Sequence, residues 1–352
     1  MSFFEILIKF VVIWTLSVLF SIIASVRLIL FYITHCASMP WNTKDRILML
    51  PPACLTYPEY GSHKYVTIDK IRLHYVESGD KSKPLMVFVH GQFDFWYSFR
   101  SQITEFNKDY WVIAMDLRGF NLSDKPSATS SYKIEHLIDD LKVFIQRLNR
   151  KNCILVCHDW GAFIGWDFVA QNNDMVLKYV MLSMPARRIY YNLSLTIWDQ
   201  LKRSWYFFVS KMPYLPEKLL STADYDVFFE MRNRKFSENF NEDDLELYKY
   251  VFSKKYASTA AINHYRANSS FVSKKEERHD DGSKGMFILG QRDPYISHAA
   301  IIMMANKYQK LRVEVIPDAN HFVHQDASNA TNKLIRDFLG PASNYEVETV
   351  LV

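Results

Sequence analysis

An aspartate between a predicted strand and a predicted helix is the residue whose chemistry this sequence presents most clearly. Asp159 is the centre of the pentapeptide CHDWG, which runs from Cys157 to Gly161. The apolar run at residues 153–156 precedes it, and a segment of helical character at residues 162–166 follows it. A nucleophile on such a tight turn needs small residues two positions away on either side. Cys157 and Gly161 meet this need, so we interpret Asp159 as a nucleophilic carboxylate.

A carboxylate nucleophile narrows the range of reactions. A serine that displaces a leaving group from a saturated carbon would end as a stable ether, whereas an aspartate forms an ester that water can cleave at its carbonyl. Asp159 therefore predicts a substrate with an electrophilic sp3 carbon, such as an epoxide or an alkyl halide. The alternative is that Asp159 caps a helix after a buried strand, which is a common position for aspartate.

Two further residues, at the ends of predicted strands, complete a possible catalytic triad. Asp293 follows the apolar run at residues 286–289, and His321 follows the run at residues 313–316. The chain order of nucleophile, acid and histidine is that of hydrolases with a nucleophile on a strand-to-helix turn. Taken singly, Asp293 is also typical of a turn, and His321 competes with His324 and nine other histidines.

The spacing of apolar runs predicts an α/β fold with a doubly wound, mostly parallel sheet. Two alternating segments, at residues 64–68 and 71–77, suit an antiparallel hairpin at a sheet edge. Continuous apolar runs separated by helical segments are typical of buried parallel strands. They lie at residues 85–89, 111–115, 153–157, 179–182, 286–289 and 313–316. An apolar stripe from Ile134 to Leu148 predicts a helix, with Ser130 or Ser131 as its N-cap.

The length of 352 residues suits one large α/β domain with an insertion and a membrane segment. We predict a core in two parts, at residues 64–186 and 281–340. Residues 187–280 lack a convincing buried strand and are interpreted as a helical cap over the carboxyl edge of the sheet, where ligands bind in such folds. The remaining predicted segments are a membrane anchor at residues 1–35, a linker at 36–63 and a C-terminal tail at 341–352.

The N-terminal segment is long and apolar enough to cross a bilayer. Residues 10–26 contain no charged residue, and beyond Arg27 the apolar character resumes through residue 33. A cleaved signal peptide has a shorter apolar region that ends in small residues, and an interfacial helix has a polar face. We therefore predict an uncleaved, single-pass anchor, in the endoplasmic reticulum membrane.

The charges that flank this segment bear on which side of the membrane the catalytic domain lies. Lys9 lies before it, and Arg27, Lys44 and Arg46 lie within or after it, which favours a cytoplasmic catalytic domain. Four glycosylation sequons would be used only if the domain were lumenal. They begin at Asn121, Asn192, Asn268 and Asn329. The formal net charge of +4, with no long basic run interleaved with aromatics, gives no support for nucleic-acid binding.

Residues 64–340 resemble an epoxide hydrolase of the α/β-hydrolase fold, in particular the membrane-anchored, epoxide hydrolase 4-like branch. The HG pair at residues 90–91, followed by FWYSFR at 95–100, resembles the family's oxyanion-loop segment. The DLRG sequence at residues 116–119 resembles the next loop. The HDWG sequence at residues 158–161 resembles the nucleophile motif, which haloalkane dehalogenases share.

The resemblance extends to two cap tyrosines that hydrogen-bond to the epoxide oxygen in the family. The sequence SWYFF at residues 204–208 resembles the segment that bears the first and places it at Tyr206. The sequence NHYR at residues 263–266 resembles the segment that bears the second and places it at Tyr265. With 21 tyrosines in the chain, either one could also have a plain core or surface role.

The family's mechanism assigns a role to each matched residue. Asp159 would attack the epoxide, and His321, oriented by Asp293, would activate water as a general base. The backbone N–H groups of Gln92 and Trp160 would form the oxyanion hole. The resemblance implies no metal and no organic cofactor.

The chain departs from the family pattern directly after residues 90–91. The sequence Gln92-Phe93-Asp94 replaces the usual aromatic-proline-acidic sequence, whose proline supports a cis peptide bond. A non-proline cis bond costs about 2.5 to 4 kcal/mol, so we predict a trans bond at Phe93 and a shifted loop.

The expected function is hydrolysis of a lipophilic epoxide, such as a fatty-acid epoxide, to a diol, with a role in lipid metabolism or xenobiotic detoxification. Two alternatives remain. A haloalkane dehalogenase would share the nucleophile motif, but the two cap tyrosines would have no role in its reaction. In addition, Gln92 occupies a position where many of those enzymes have asparagine. A catalytically silent binding protein of the same fold would be consistent with the altered loop.

Overall fold

The computed structural model describes residues 3–35, 50–223, 225, 240–268, 282 and 284–349. Residues 36–49 of the predicted linker, and parts of the predicted cap and tail, lie outside the described residues. The helices are α1 Phe3–His35, α2 Arg100–Phe106, α3 Ile134–Arg147, α4 Trp160–Gln171, α5 Arg187–Thr196, α6 Trp198–Arg203, α7 Trp205–Val209, α8 Leu215–Leu220, α9 Glu242–Phe252, α10 Ala257–Asn268, α11 Ala299–Lys307, α12 Val323–Asp326 and α13 Ser328–Leu339. The strands are β1 Ser62–Ile68, β2 Ile71–Ser78, β3 Leu85–Val89, β4 Trp111–Met115, β5 Cys153–His158, β6 Val176–Leu182, β7 Gly285–Gly290 and β8 Arg312–Ile316.

The eight strands form one sheet in the order β1-β2-β4-β3-β5-β6-β7-β8. Strand β2 is antiparallel to both of its neighbours, and all the later strands are parallel. The predicted hairpin and the six predicted parallel strands are confirmed. Their carboxyl ends therefore lie along one edge of the sheet, where the loops that bear the candidate residues begin.

The central strands are apolar along their whole length because both of their faces are covered. Every residue of β3, β4, β5 and β7 is buried, whereas β8 at the sheet margin is mostly half-buried. Burial on both faces removes the polar alternation of a half-exposed strand, which explains why the sequence shows continuous apolar runs. These strands form a rigid platform for the loops at their carboxyl ends.

The predicted helix after β4 is present as α3, but its predicted N-cap is wrong. The helix begins at Ile134 after Lys133, and no side chain caps it. Ser130 and Ser131 lie in a 3-10 turn, Thr129–Tyr132, that precedes the helix. The side chain of Asn268 accepts a hydrogen bond from the Ile134 N–H at 2.8 Å, so a distant residue of α10 satisfies this helix end instead.

Helices α5 to α10 lie between β6 and β7, in the segment predicted as the cap. They are joined to the loops at the carboxyl ends of the strands by several hydrogen bonds. His264 meets the Arg118 carbonyl at 2.9 Å, Tyr248 donates to Asp94 at 2.6 Å, and Arg203 donates to the Asp293 carbonyl at 2.8 Å. These contacts fix the helices over the edge of the sheet.

Helix α1 is long enough and apolar enough to span a membrane. The segment Leu7–Thr34 has a mean hydropathy of 2.3 over its most apolar window, of which 22% is buried. Length and composition of this kind occur in membrane anchors and in signal sequences alike.

Candidate active site

Asp159 lies on the tight turn between β5 and α4, as the pentapeptide predicts. Its backbone has φ 48° and ψ −115°, a conformation that is strained for any residue with a side chain. A Cβ on Gly161 would meet the backbone oxygens of Val89 and His90, so only glycine fits there. The turn is thus held against the end of β3, and the strain directs the Asp159 side chain away from the sheet.

The structure brings Asp159, His321 and Asp293 together, from three separate strand ends. His321 Nε2 lies 3.2 Å from Asp159 Oδ2, and His321 Nδ1 lies 2.8 Å from Asp293 Oδ2. All three residues are buried. The imidazole therefore bridges two carboxylates, which is the geometry of a nucleophile, a base and an orienting acid.

The loop after β7 positions the Asp293 carboxylate. Its Oδ1 accepts hydrogen bonds from the backbone N–H groups of Tyr295 at 2.7 Å and Ile296 at 2.9 Å. This leaves Oδ2 for His321. A carboxylate held by two backbone donors has a fixed direction, so the orientation of the imidazole is fixed as well.

The charges of this buried group are strongly coupled. Burial alone would raise the pKa of Asp159, but the hydrogen bond and charge of His321 outweigh burial and lower that pKa well below its usual range. Burial would lower the pKa of His321, but the charge of Asp293 and the hydrogen bond with Asp159 raise it to about 10. At neutral pH the resting site is therefore an ion pair between a carboxylate and an imidazolium.

The altered loop presents its backbone N–H to the Asp159 carboxylate. The Gln92 N–H donates to Asp159 Oδ1 at 2.7 Å, although Phe93 has a φ of 51°. No cis peptide bond occurs in the described ranges of the chain. Trp160 is the first residue of α4, where backbone N–H groups lie outside the helical hydrogen-bond ladder. Gln92 also donates through its side-chain amide to the Ala261 carbonyl of α10 at 2.6 Å.

Tyr206 on α7 and Tyr265 on α10 line the same cavity as Asp159. Their ring centroids are 5.9 Å apart in a T-shaped arrangement. Burial raises the pKa of both phenols well above its ordinary value, and the nearby Asp159 carboxylate raises it further. Both hydroxyls therefore keep their protons at neutral pH and can donate hydrogen bonds.

The cavity has a volume of about 840 Å³. Gln92, Phe93, Asp159 and His321 line it on the core side, and most of the remaining wall is apolar or aromatic. This volume is in the range of sites that enclose a small organic molecule.

Among the residues that the structure describes, Asp94, His158 and His324 form a buried group whose ligand-type atoms lie within 4.8 Å of one another. The group is already engaged in contacts that support the loops. His158 Nε2 lies 3.1 Å from the His321 carbonyl, and Tyr248 donates to Asp94. We interpret it as a support for the loops that bear Asp159 and His321.

Two tyrosines beside the predicted pair were missed from the sequence. Tyr295 lines the cavity, and its ring centroid lies 4.9 Å from that of His321. Tyr190 on α5 is buried, and its hydrogen bond raises the pKa of Tyr206. Tyr295 could have been found from the sequence, because it lies only two residues after Asp293. Tyr190 could not, because only the packing of α5 against α7 places it beside Tyr206.

Comparisons with known proteins identify the family of the chain. The alpha/beta hydrolase fold family matches residues 84–328. The chain is 36% identical to epoxide hydrolase 3 of Xenopus tropicalis, over 82% of this chain and 80% of that protein. It is 34% identical to human epoxide hydrolase 4, over 82% of each chain. The crystal structure of a Bacillus megaterium epoxide hydrolase in complex with an inhibitor is similar, with a TM-score of 0.71 and 25% identity over 78% of this chain and 99% of that one. The chain therefore belongs to the epoxide hydrolases of the α/β hydrolase fold.

Proposed function

We propose that this chain opens lipophilic epoxides to vicinal diols through an ester formed on Asp159. The observation that carries the proposal is the arrangement around this carboxylate. His321 lies 3.2 Å from one of its oxygens, the Gln92 N–H lies 2.7 Å from the other, and two tyrosines line the same cavity. The tyrosine pair favours an epoxide, whose oxygen leaves as an alkoxide and needs strong hydrogen-bond donors.

In the first step, Asp159 attacks an epoxide carbon and the C–O bond to that carbon breaks. Tyr206 and Tyr265 hydrogen-bond to the leaving oxygen, and one of them supplies its proton. The products are a hydroxyalkyl ester and a tyrosinate. Ester formation removes the negative charge of Asp159, so the pKa of His321 falls and its proton can return to the tyrosinate.

In the second step, the neutral His321 takes a proton from a water molecule that attacks the ester carbonyl. The N–H groups of Gln92 and Trp160 stabilise the resulting oxyanion, which is worth about 3 to 4 kcal/mol per donor in other hydrolases. Collapse of the intermediate expels the substrate oxygen as an alkoxide, which takes the second proton of the attacking water and leaves as the diol. The Asp159 carboxylate and the His321 imidazolium of the resting site are then both present again. The sum of both steps is one epoxide and one water converted to one diol.

The apolar, aromatic cavity supports a lipophilic substrate. A structure of the Bacillus megaterium relative, 25% identical to this chain, contains its product, a naphthyloxy-propane-1,2-diol. That product is a vicinal diol with a large aromatic substituent. A fatty-acid epoxide would give a vicinal diol of the same kind, with an extended aliphatic group in place of the aromatic one.

The apolar helix α1 supports a membrane location for the enzyme. Large side chains on one side of α1, among them Leu19, Ile22 and Ile29, are exposed. Exposure of such a face to water is unfavourable, whereas lipid would cover it. We propose a single-pass anchor in the endoplasmic reticulum membrane, with the catalytic domain on the cytoplasmic side.

The mechanism is tested by trapping the ester. Purified His321→Gln protein is incubated with epoxystearic acid, denatured and digested, and the peptide that contains Asp159 is analysed by mass spectrometry. Without the base, ester hydrolysis is blocked, so we expect a mass increase equal to that of the epoxide on this peptide. The matched control is the double variant His321→Gln with Asp159→Asn, which should carry no adduct.

The same preparation distinguishes the alternatives. An adduct formed from an alkyl halide, with none from the epoxide, would favour a dehalogenase. No adduct from either compound, together with an inactive wild-type protein, would contradict the proposal and favour a silent binding protein.

A further inference from the structure

Helix α1 packs along the cap. Phe20 stacks on Phe208, with ring centroids 5.7 Å apart, and lysines 211 and 218 lie over the rings of Trp14 and Tyr32. Residues 14 and 32 are 18 positions apart, so these contacts extend over about 27 Å of the helix. Helix α1 is thus a packed part of the catalytic domain along much of its length.

The two sides of α1 differ in side-chain size. Small residues, Ser17, Ser21 and Ala24, are buried on the side that faces the cap helices α7 and α8. Small side chains let two helices approach closely, as they do in membrane helix pairs. Ile22 and Ile29, on the outer side, are 58% and 57% exposed.

Helix α1 also contributes to the cavity of the candidate active site. Phe20, Ile23, Ala24, Arg27, Leu28 and Phe31 line the same cavity that Asp159 and His321 line. Phe208, which stacks on Phe20, is two residues beyond Tyr206 on α7. The helix that bears the proposed proton donor therefore lies between the core and α1.

The exposure of the lining residues indicates where the cavity opens. Asp159 and His321 are buried at one end. The exposed lining residues come from α1, α6 and α7, and they are Ile23, Arg27, Asp199, Lys202 and Trp205. The mouth therefore lies between α1 and helices α6 and α7. Lysine and tryptophan are typical of the boundary between lipid and water.

We propose that α1 forms the outer wall of the substrate cavity, and that a lipid-dissolved epoxide reaches Asp159 through the gap between α1 and helices α6 and α7. This inference rests on the proposed function and specifies its substrate class as long, apolar epoxides that partition into membranes. Since the cap covers α1 over about 27 Å of its length, the proposed anchor places this face of the cap within the bilayer. Helix α1 then selects the substrate in addition to holding the enzyme at the membrane.

The test substitutes tryptophan on the two sides of α1 in the full-length protein, reconstituted in phosphatidylcholine vesicles. Ile23→Trp and Leu28→Trp add bulk to the cavity wall. Ile22→Trp and Ile29→Trp add the same bulk one position away, on the outer side. The measured quantity is kcat/KM for a long substrate, epoxystearic acid, and for a short one, styrene oxide.

We expect the two wall variants to lower kcat/KM for epoxystearic acid by about tenfold or more relative to their effect on kcat/KM for styrene oxide. The outer variants should match wild type on both substrates. Retained styrene oxide turnover also shows that a variant is folded.

Two results would overturn the inference in distinguishable ways. If wall and outer variants behave alike on epoxystearic acid while wild type is active, α1 is only a tether and the proposed function stands. If the wild-type protein hydrolyses neither epoxide, the proposed function itself fails, and the inference fails with it.

Discussion

The ion pair between Asp159 and His321 poses a chemical problem for a general base, because an imidazolium cannot accept a proton. The charges around His321 explain how the proposed mechanism solves it. The imidazolium is stabilised by two carboxylates, Asp293 at 2.8 Å and Asp159 at 3.2 Å. Esterification neutralises only Asp159. The base would thus become available only after the first step, while Asp293 continues to orient it.

This ion pair predicts a pH-dependent contribution to stability. The pKa of His321 is raised from 6.5 to about 10 in the folded protein. Its stabilising effect is therefore full below pH 6.5 and is lost as the pH rises through about 10. We expect the Tm difference between wild type and His321→Gln to shrink over this interval. His298→Gln, at an exposed histidine, is the control, and a pH-independent difference for His321→Gln would contradict the prediction.

The proposed role of the two cap tyrosines predicts how their substitution affects the rate of ester formation. Removal of either hydroxyl, in Tyr206→Phe or Tyr265→Phe, should slow ester formation about 10²-fold to 10⁴-fold, because the alkoxide loses a proton donor. Single-turnover kinetics with styrene oxide measures this step separately from hydrolysis. Tyr295→Phe, at another tyrosine that lines the cavity, should remain close to wild type. Equal losses in all three variants would contradict specific roles for the pair.

At the scale of the element, the packing of the turn between β5 and α4 against the sheet holds Asp159, the proposed nucleophile, in a strained conformation. The strain at Asp159 is maintained because the turn lies tightly against β3. A Cβ at Gly91 would also come within 2.7 Å of the Asp159 Cβ, so the neighbouring loop closes over the same residue. Small residues on both sides are therefore a geometric condition for the site.

Gly161→Ala tests this condition. The added methyl would meet the backbone oxygens of Val89 and His90, so we expect a loss of about 1 to 3 kcal/mol in the free energy of unfolding, with loss of ester formation. The matched control is Gly165→Ala on the same helix. Its methyl would meet the side chains of Cys157 and Met181, and the flexible methionine can move. Urea denaturation compares the two variants, and equal destabilisation would contradict the prediction.

The elements that the sequence predicts well are those whose signal is local. A strand buried on both faces is a continuous apolar run, so the parallel strands and the loops that bear Asp293 and His321 could be located from it. Contacts between segments that are distant along the chain produce no comparable pattern in the sequence. The end of α3 is satisfied by Asn268, which is 134 residues away, and the packing of Tyr190 near Tyr206 depends on the arrangement of the cap helices.

At the scale of the whole molecule, three layers meet at one cavity: the sheet with its loops, the cap helices and α1. The resemblance to a family predicted site residues in the first two layers. The contribution of α1 to the cavity could not be predicted from the sequence. Hydropathy indicates whether a helix can lie in lipid, but it does not indicate which of its faces packs against another helix.

The proposed orientation in the membrane predicts whether the catalytic domain is glycosylated. Asn192 and Asn329 are exposed, whereas Asn268 is buried and its amide donates to the Tyr132 and His264 carbonyls. For a cytoplasmic domain we expect no change in electrophoretic mobility after glycosidase treatment of protein from mammalian cells. A shift that is lost in Asn192→Gln or Asn329→Gln would place the domain in the lumen. Asn268→Gln should have no effect on mobility in either case.

The hydrogen bond from the Gln92 amide to the Ala261 carbonyl joins the core to the cap beside the nucleophile. In the proposed mechanism the backbone of Gln92 serves ester hydrolysis, while Tyr265, one helical turn beyond Ala261, serves epoxide opening. A substitution at position 92 therefore alters both half-reactions at once. Laboratory evolution that aims to accelerate one half-reaction alone should leave this position fixed and vary residues that touch only one of the two groups, such as Phe207 beside the Tyr265 ring.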